Sequence, residues 1–281
     1  MPIHIITDST SDISQAQAKQ LKIDVVPMTI IFGSETFIDG VDLSSKEFYI
    51  RMRASEKLPK TSLINSETFI EKFKSFPDRD DIIGIFISSE LSGSLQSAFV
   101  AKDSLPNKKI HLIDSRFVSF GLTALVLYAV RLRDEGKSAQ EIVSAVEDAK
   151  KRLVMVAVID DLKYLRLGGR LSSASAFLGT IMRVKPLINI DDGKVLAVHK
   201  TLGLHMAFAW LVEQYQNADV DSSMPRLFGH SDAEETLEKF QKYVSKRCDF
   251  PLENVYLIGP TVGVHAGPGA VGFCFFQKPK T

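Results

Sequence analysis

The sequence has few of the residues that build disulfide-linked or metal-binding proteins. Its 281 residues include only two cysteines, Cys248 and Cys274. Two thiols without CxxC spacing cannot form a disulfide framework, and they fit a reducing compartment. The six histidines are scattered and form no HExxH motif or histidine–cysteine cluster, so no metal site is expected.

An excess of charge of either sign is also missing. Lysine plus arginine and aspartate plus glutamate both number 34, so the formal net charge is zero. Nucleic-acid binding needs a clustered basic excess that neutralises phosphates, and this balance argues against it. The apolar share of 45% and the charged share of 24% are typical of globular domains, which excludes disordered and fibrous classes.

Long hydrophobic runs are absent as well. The longest apolar stretch, residues 117–130, is interrupted by Ser119, Gly121 and Thr123 and is shorter than the roughly 20 residues that a bilayer span needs. We interpret it as a buried helix. The first eight residues, MPIHIITD, have neither the basic nor the apolar region of an export signal. We therefore expect a cytoplasmic protein without stable membrane insertion.

The pattern of apolar residues predicts an α/β fold with two lobes. Short β-branched runs alternate with helical patterns, and the unbroken apolar run 82–87 is typical of a strand covered on both faces. In the second half, Asp191-Asp192-Gly193 has the composition of a hairpin turn, so antiparallel pairing is expected there. At about 150 residues per domain, the chain divides into domains 1–153 and 154–281, with a cleft between them.

Hydroxyl-rich segments follow several predicted strands of the first domain. They comprise residues 8–12, 61–62 and 88–94. In an open parallel sheet the carboxyl ends of the strands meet the N-termini of the following helices, whose free N–H groups favour anions. Helix capping explains any one of these segments by itself. Taken together, they predict a site for a small anion that is held by neutral donors.

A glycine-rich segment, residues 259–272, surrounds His265. Residues 267–272 satisfy G-x-G-x-x-G, but they do not open a helix in a βαβ unit and have no acidic residue about 20 positions further on. We expect the glycines to hold His265 in a tight turn. Ser92 with His265 would also suit an acyl hydrolase, although Leu-Ser-Gly-Ser lacks the Gly-x-Ser-x-Gly elbow.

Five short motifs lie along the whole chain. They are TDSTSD at 7–12, KTS at 60–62, LSGSLQSA at 91–98, YLRLGGR at 164–170 and VHAGPGAVG at 264–272. In this order they resemble the DegV family of bacterial fatty-acid-binding proteins. The resemblance implies a Rossmann-like N-terminal lobe with a parallel sheet, a mixed α/β C-terminal lobe, and a long-chain fatty acid in a tunnel between them.

The same resemblance implies a carrier and not an enzyme. Family members look like the acyl-carrying subunit of bacterial fatty acid kinase, which presents the carboxylate of its fatty acid to a separate ATP-dependent kinase subunit. The product is an acyl-phosphate for phospholipid synthesis, and no cofactor besides the bound lipid is implied. A Ser92/His265 acyl hydrolase and a regulatory lipid sensor remain the alternatives.

Matching motif positions imply which residues contact the ligand. The residues expected around the carboxylate are Thr61, Ser62, Ser92, Gly93 and His265. Arg170, in the fourth motif, is expected to contact the kinase subunit or the acyl-phosphate. One departure from many relatives is the stretch 199–205, HKTLGLH, which carries fewer basic residues.

Overall fold

A computed structural model describes residues 2–172 and 184–280 of the chain. The strands are β1 (Ile3–Asp8), β2 (Ile23–Val26), β3 (Thr29–Phe32), β4 (Glu35–Ile38), β5 (Lys60–Ser62), β6 (Asp81–Phe86), β7 (Lys109–Asp114), β8 (Leu153–Val158), β9 (Val184–Asp191), β10 (Lys194–Leu202), β11 (Leu227–His230), β12 (Val255–Leu257) and β13 (Val271–Phe276). The helices are α1 (Gln15–Leu21), α2 (Ser45–Ala54), α3 (Ser66–Lys74), α4 (Ser94–Asp103), α5 (Phe120–Asp134), α6 (Ala139–Ala149), α7 (Lys163–Leu167), α8 (Leu204–Gln216), α9 (Glu234–Val244) and α10 (Pro260–Ala266).

The first sheet is parallel and has four strands in the order β2-β1-β6-β7. Residues 82–86 of β6 are buried, as expected for a strand covered on both faces. The long apolar stretch near residue 120 forms α5, a buried helix that contacts β1 and β6. Within the described ranges, none of the helices combines the length and apolarity that a membrane crossing requires.

The second sheet is mixed and has six strands in the order β10-β9-β8-β13-β11-β12. Its pairs are antiparallel except for β11 with β12. An aromatic cluster lies between this sheet and helices α8 and α9, with ring centroids 5.0 Å apart for Phe208 and Phe240 and 4.7 Å for Phe228 and Phe250. The parallel and mixed sheets confirm the predicted fold class. The division at residues 153/154 stays a prediction.

A small antiparallel sheet, in the order β4-β3-β5, was not predicted. Strands β2 and β3 are separated at Pro27, which has no N–H for a ladder bond, so the chain leaves the first sheet there. Strand β5 pairs Thr61 with Ile30 and Ser62 with Thr29. Thr61 and Ser62 therefore lie on a strand, where a loop was expected.

The hairpin formed by β9 and β10 reaches back onto the first half of the chain. Its turn at 191–193 is the predicted one, with Gly193 at a φ of +80°. Arg116 Nη2 donates to Asp192 O at 2.7 Å and to Asp192 Oδ1 at 2.5 Å, and Ser88 Oγ donates to Gly193 O at 2.8 Å. These contacts fix the hairpin as one wall of the space between the two main sheets.

The glycine-rich segment differs from its prediction. His265 lies on helix α10 and not in a tight turn. The helix forms because Pro260 occupies its first position, where the missing N–H has no consequence, and it ends at Gly267, which adopts a φ of +71°. The glycines with positive φ thus follow the histidine and do not hold it.

The close approach of α5 to β11 makes a first prediction. A Cβ atom at Gly229 would overlap the Phe120 ring, which is 1% exposed and cannot move into solvent. We expect Gly229→Ala to lower the free energy of unfolding by about 1–3 kcal/mol through overpacking. Urea unfolding followed by circular dichroism measures this change. In a Phe120→Ala background, which lacks the Cγ, Cδ1 and Cε1 atoms of the ring, the same glycine substitution should cost less; an unchanged midpoint in Gly229→Ala would contradict the packing.

Candidate functional site

A cavity of about 340 Å³ lies between the parallel sheet, the mixed sheet and the small sheet. This volume is in the range of small-molecule binding pockets. Most of the lining is apolar: Met28, Leu63, Ile87, Leu91, Val118, Phe120, Met155, Ala157, Ile159, Leu165, Ile188, Ile190, Val195, Ile258, Val262, Ala266 and Ala270. A cavity of this composition suits a ligand that is largely hydrocarbon.

The structure brings all six predicted site residues to this one cavity. The polar residues of its lining are Thr10, Thr61, Ser62, Ser92, Gly93, Ser119, Arg170, Thr261 and His265. The six predicted residues come from β5, the start of α4, the segment after α7 and helix α10, which are far apart in sequence. The roles of the six residues toward a ligand stay predictions.

His265 is the centre of the polar group. Its Nε2 lies 3.1 Å from Thr61 Oγ1, and its Nδ1 is buried without a hydrogen-bond partner among the described residues. Burial, together with the nearby positive charge of Arg170, lowers the pKa of His265 to about 4. The imidazole is therefore neutral at pH 7. A Cβ atom at Gly168 would overlap the ring, so a glycine is required there.

Ser92 and Gly93 lie at the N-terminus of α4. Ser92 Oγ accepts from the Ser94 N–H at 3.3 Å and lies 3.1 Å from Ser94 Oγ, which in turn accepts from the Ile64 N–H at 3.1 Å. A Cβ atom at Gly93 would lie 3.1 Å from Leu63 Cδ2. These contacts hold the end of β5 beside the first turn of α4, where unpaired N–H groups and the helix dipole favour a negative charge.

Arg170 supplies a positive charge beside His265. Its Nη1 donates to Gly168 O at 2.7 Å and its Nε to Leu91 O at 3.2 Å, and both acceptors are neutral carbonyls. Within residues 2–172 and 184–280, Arg170 forms no ion pair. A half-buried, uncompensated cation beside a neutral imidazole and two hydroxyls favours an anionic ligand group.

The geometry does not favour the hydrolase alternative. Ser92 Oγ contacts Ser94, whereas His265 contacts Thr61, so the structure contains no nucleophile–base pair at Ser92. The buried Nδ1 of His265 also has no carboxylate to orient it as a general base. No group of three or more His, Cys, Asp or Glu side chains in the described chain is placed to hold a metal ion.

The segment 8–12 does not act as an exposed anion-binding loop. Its Asp8 carboxylate is buried, accepting from the Thr10 N–H at 2.9 Å and the Ile87 N–H at 2.8 Å. Burial raises the pKa of Asp8, although the hydrogen bonds oppose that rise. This carboxylate joins the ends of β1 and β6, so its role is structural.

Two further carboxylates lie behind the site: Asp12, which belongs to the first motif, and Asp39, which sequence reasoning did not single out. Asp12 accepts from the Gly259 N–H at 2.8 Å, and Asp39 Oδ2 accepts from the Thr261 hydroxyl at 2.5 Å and the Thr261 N–H at 3.2 Å. Both bind the start of the helix that carries His265. For Asp39 the signal is indirect: the residue before Pro260 is Gly259, which has no side chain to cap the helix.

Comparisons with known proteins point to one family. Residues 2–278 match the family described as uncharacterised protein, DegV family. A DegV domain-containing protein of Caldanaerobacter subterraneus subsp. tengcongensis is 36% identical, over 98% of this chain and 99% of the relative. One from Halalkalibacterium halodurans is 30% identical, over 98% of both chains.

Solved structures share the fold over the full length. DegV from Bacillus subtilis, described as a fatty acid binding protein, is 29% identical with a TM-score of 0.83, covering 99% of this chain and 100% of the other. A DegV family protein from Thermus thermophilus, described for its fatty acid binding, is 26% identical with a TM-score of 0.89 and the same coverage. A stearic acid-binding protein from Eubacterium ventriosum is 26% identical with a TM-score of 0.83, covering 98% of both chains.

The lowered pKa of His265 predicts how stability depends on pH. An unfolded histidine titrates near pH 6.5, whereas His265 in the folded, ligand-free protein has a pKa of about 4. Between these values the unfolded chain binds the proton and the folded chain does not. We therefore expect the contribution of His265 to the free energy of unfolding to fall as the pH decreases from about 6.5 to 4, by at most ~1.4 kcal/mol per pH unit.

Titration of the buried Asp39 changes the stability in the opposite sense, so its effect must be separated from that of His265. Burial raises the pKa of Asp39 to about 6, so between about pH 3.8 and 6 the folded chain binds the extra proton and stability falls as the pH rises. Urea unfolding of the wild type and of His265→Gln at several pH values separates the two, because the variant keeps Asp39. Parallel curves for the two proteins between pH 6.5 and 4 would contradict the prediction.

Proposed function

Since the chain belongs to the DegV family, we propose that it binds a long-chain fatty acid between the lobes formed by residues 1–153 and 154–281. We further propose that it presents the carboxylate to a separate ATP-dependent kinase subunit, which forms the acyl-phosphate. One observation carries the proposal: an apolar cavity with a cation, Arg170, that has no ion-pair partner in the described chain and lies beside the cluster of predicted donors. Relatives above 25% identity that are described as fatty-acid-binding support the same ligand.

In this proposal the hydrocarbon tail supplies most of the affinity. Burying about fourteen methylenes at ~0.8 kcal/mol each contributes on the order of 11 kcal/mol before association costs. Micromolar affinity requires roughly 8 kcal/mol. The tail is therefore sufficient, and the polar cluster has a different task.

The polar cluster would hold the carboxylate in one position. An ionised carboxylate in an apolar cavity is costly unless hydrogen bonds satisfy it. Thr61, Ser92 and His265 would donate to it, with Ser62 and the backbone N–H of Gly93 nearby and Arg170 balancing its charge. Each such bond to a charged group contributes about 1.5–3 kcal/mol before desolvation. The cluster would thus fix where the reactive group lies.

Exposure of the cluster supports presentation to a partner. Ser62 and Gly93 are exposed and Thr61, Ser92 and Arg170 are half-buried, so the carboxylate end of the cavity would face solvent. A kinase that transfers phosphate from ATP needs such access to the carboxylate oxygens. The proposed partner uses ATP, so we place the reaction in the cytoplasm. The protein would act as a carrier with the fatty acid as its only ligand.

The purified protein provides the first test. We expect organic extraction of the recombinant protein to release long-chain fatty acid at a ratio near one per chain, detected by mass spectrometry, because a buried tail exchanges slowly with the medium. Delipidated protein should bind added stearate and hydrolyse no acyl ester. Extracts free of fatty acid, together with no binding of added stearate, would contradict the proposal. Ester turnover that a fluorophosphonate abolishes by labelling Ser92 would favour the hydrolase.

The second test separates affinity from transfer. We expect Thr61→Ala with Ser92→Ala to weaken stearate binding by about tenfold, since two donors to the charged carboxylate are lost while the tail contacts remain. Acyl-phosphate formation with a DegV-partner kinase and ATP should fall further, because the carboxylate loses its fixed position. The matched control is Thr36→Ala with Ser104→Ala, two exposed hydroxyls outside the cavity. Unchanged binding and transfer in the Thr61/Ser92 variant would reject this site.

A further inference from the structure

Helix α10 has no capping side chain of its own. Its N-cap residue is Gly259, and Pro260 at the next position has no N–H to donate. The first two free N–H groups are instead bound by carboxylates from the other half of the chain. Asp12 Oδ1 accepts from the Gly259 N–H at 2.8 Å, and Asp39 Oδ2 accepts from the Thr261 N–H at 3.2 Å and its hydroxyl at 2.5 Å.

The hydrogen bonds from Gly259 and Thr261 fix one end of helix α10, and His265 lies near the other end. Thr261 and His265 are four residues apart, so they share one face of the helix, and both line the cavity. The opposite face has no freedom to shift, because a Cβ atom at Gly263 would lie 2.6 Å from the Phe48 ring and 2.7 Å from the Tyr49 hydroxyl. The helix that links Thr261 to His265 is therefore tightly packed on its other face.

Burying two carboxylates as helix caps costs free energy. Asp39 is 4% exposed, and neither Asp39 nor Asp12 forms an ion pair within the described ranges. Burial raises the pKa of Asp39 to about 6 and that of Asp12 well above its ordinary value. The partial positive charge of the helix N-terminus offsets part of this cost. A neutral serine or asparagine at the N-cap would satisfy the same N–H groups at less cost.

We propose that Asp39, assisted by Asp12, is a positioning residue for His265. By fixing the first turn of α10, it holds the imidazole Nε2 at 3.1 Å from Thr61 Oγ1, where both groups can meet the ligand carboxylate. Asp39 itself bonds Thr261 and acts on the ligand only through the helix. The inference rests on the proposed function, because it assigns Asp39 to recognition of the fatty-acid head and not of the tail.

The test compares two lipids that share a tail. Stearate carries the carboxylate, whereas methyl stearate has the same tail without the charge. We expect Asp39→Ala to weaken stearate binding to the delipidated protein by about tenfold and methyl stearate binding by less than about twofold, as His265→Ala does. In the variant that carries both substitutions, the stearate affinity should equal that of His265→Ala alone, because the two residues act through one contact.

Two matched variants separate positioning from general stability. Asp39→Asn keeps an oxygen acceptor for Thr261, so the stearate affinity of this variant should stay within about threefold of the wild type. Asp80 is another buried carboxylate, 3% exposed and bound by His4 near the opposite end of β1. Asp80→Ala should leave the ratio of stearate to methyl stearate affinity unchanged.

The outcomes are distinct. Equal losses for stearate and methyl stearate in Asp39→Ala, or no loss for either, would overturn the positioning role. Failure of the wild type to bind stearate would reject the proposed function itself. If Asp39→Ala does not fold, Thr261→Val tests the same hydrogen bond by removing the hydroxyl that donates to Asp39. This variant should lower the stearate affinity selectively, whereas Thr261→Ser, which keeps the hydroxyl, should not.

Discussion

The contact between Thr61 Oγ1 and His265 Nε2 joins two parts of the chain that lie 204 residues apart, and the polar side of the cavity depends on it. Thr61 is placed by the pairing of β5 with β3, and His265 by the packing of α10 against α2. If either element shifts, the two donors separate. The small antiparallel sheet and the seven-residue helix are thus the elements on which the site is built.

Charge is distributed along α10 in the order that its dipole favours. The carboxylates of Asp12 and Asp39 lie at its N-terminus, where the helix carries a partial positive charge, and Arg170 lies near His265 in its last turn, where the partial charge is negative. The helix separates the two carboxylates from the guanidinium of Arg170. None of these three buried or half-buried groups has an ion-pair partner in the described chain. Burial, together with the positive charge of Arg170, lowers the pKa of His265 and keeps the imidazole neutral, so it can serve as a hydrogen-bonding group without adding a second cation to the cavity.

Sequence patterns predicted the elements that have a strong local signal. The apolar run of β6, the helix α5 and the turn before β10 follow from composition and periodicity alone. The strand β5 has three residues and no period to detect, so its existence depends on β3. Helix α10 has low intrinsic propensity because of its glycine, and it is stabilised by Asp12 and Asp39 from the other half of the chain. The motif resemblance predicted residues that line one cavity, and its first motif contains Asp12, but it did not indicate Asp39.

The hydrogen-bond donors and much of the apolar wall of the cavity come from different elements. The donors lie on β5, the start of α4, α10 and the segment after α7, whereas much of the apolar wall comes from α5, β8 and the β9–β10 hairpin. The hairpin is held to the first half of the chain by Arg116 and Ser88. A substitution such as one at Met155 or Ile190 can therefore change the volume and shape of the wall without moving Thr61 or His265. A fold of this kind can vary the tail that it accepts while the position of the carboxylate stays constant.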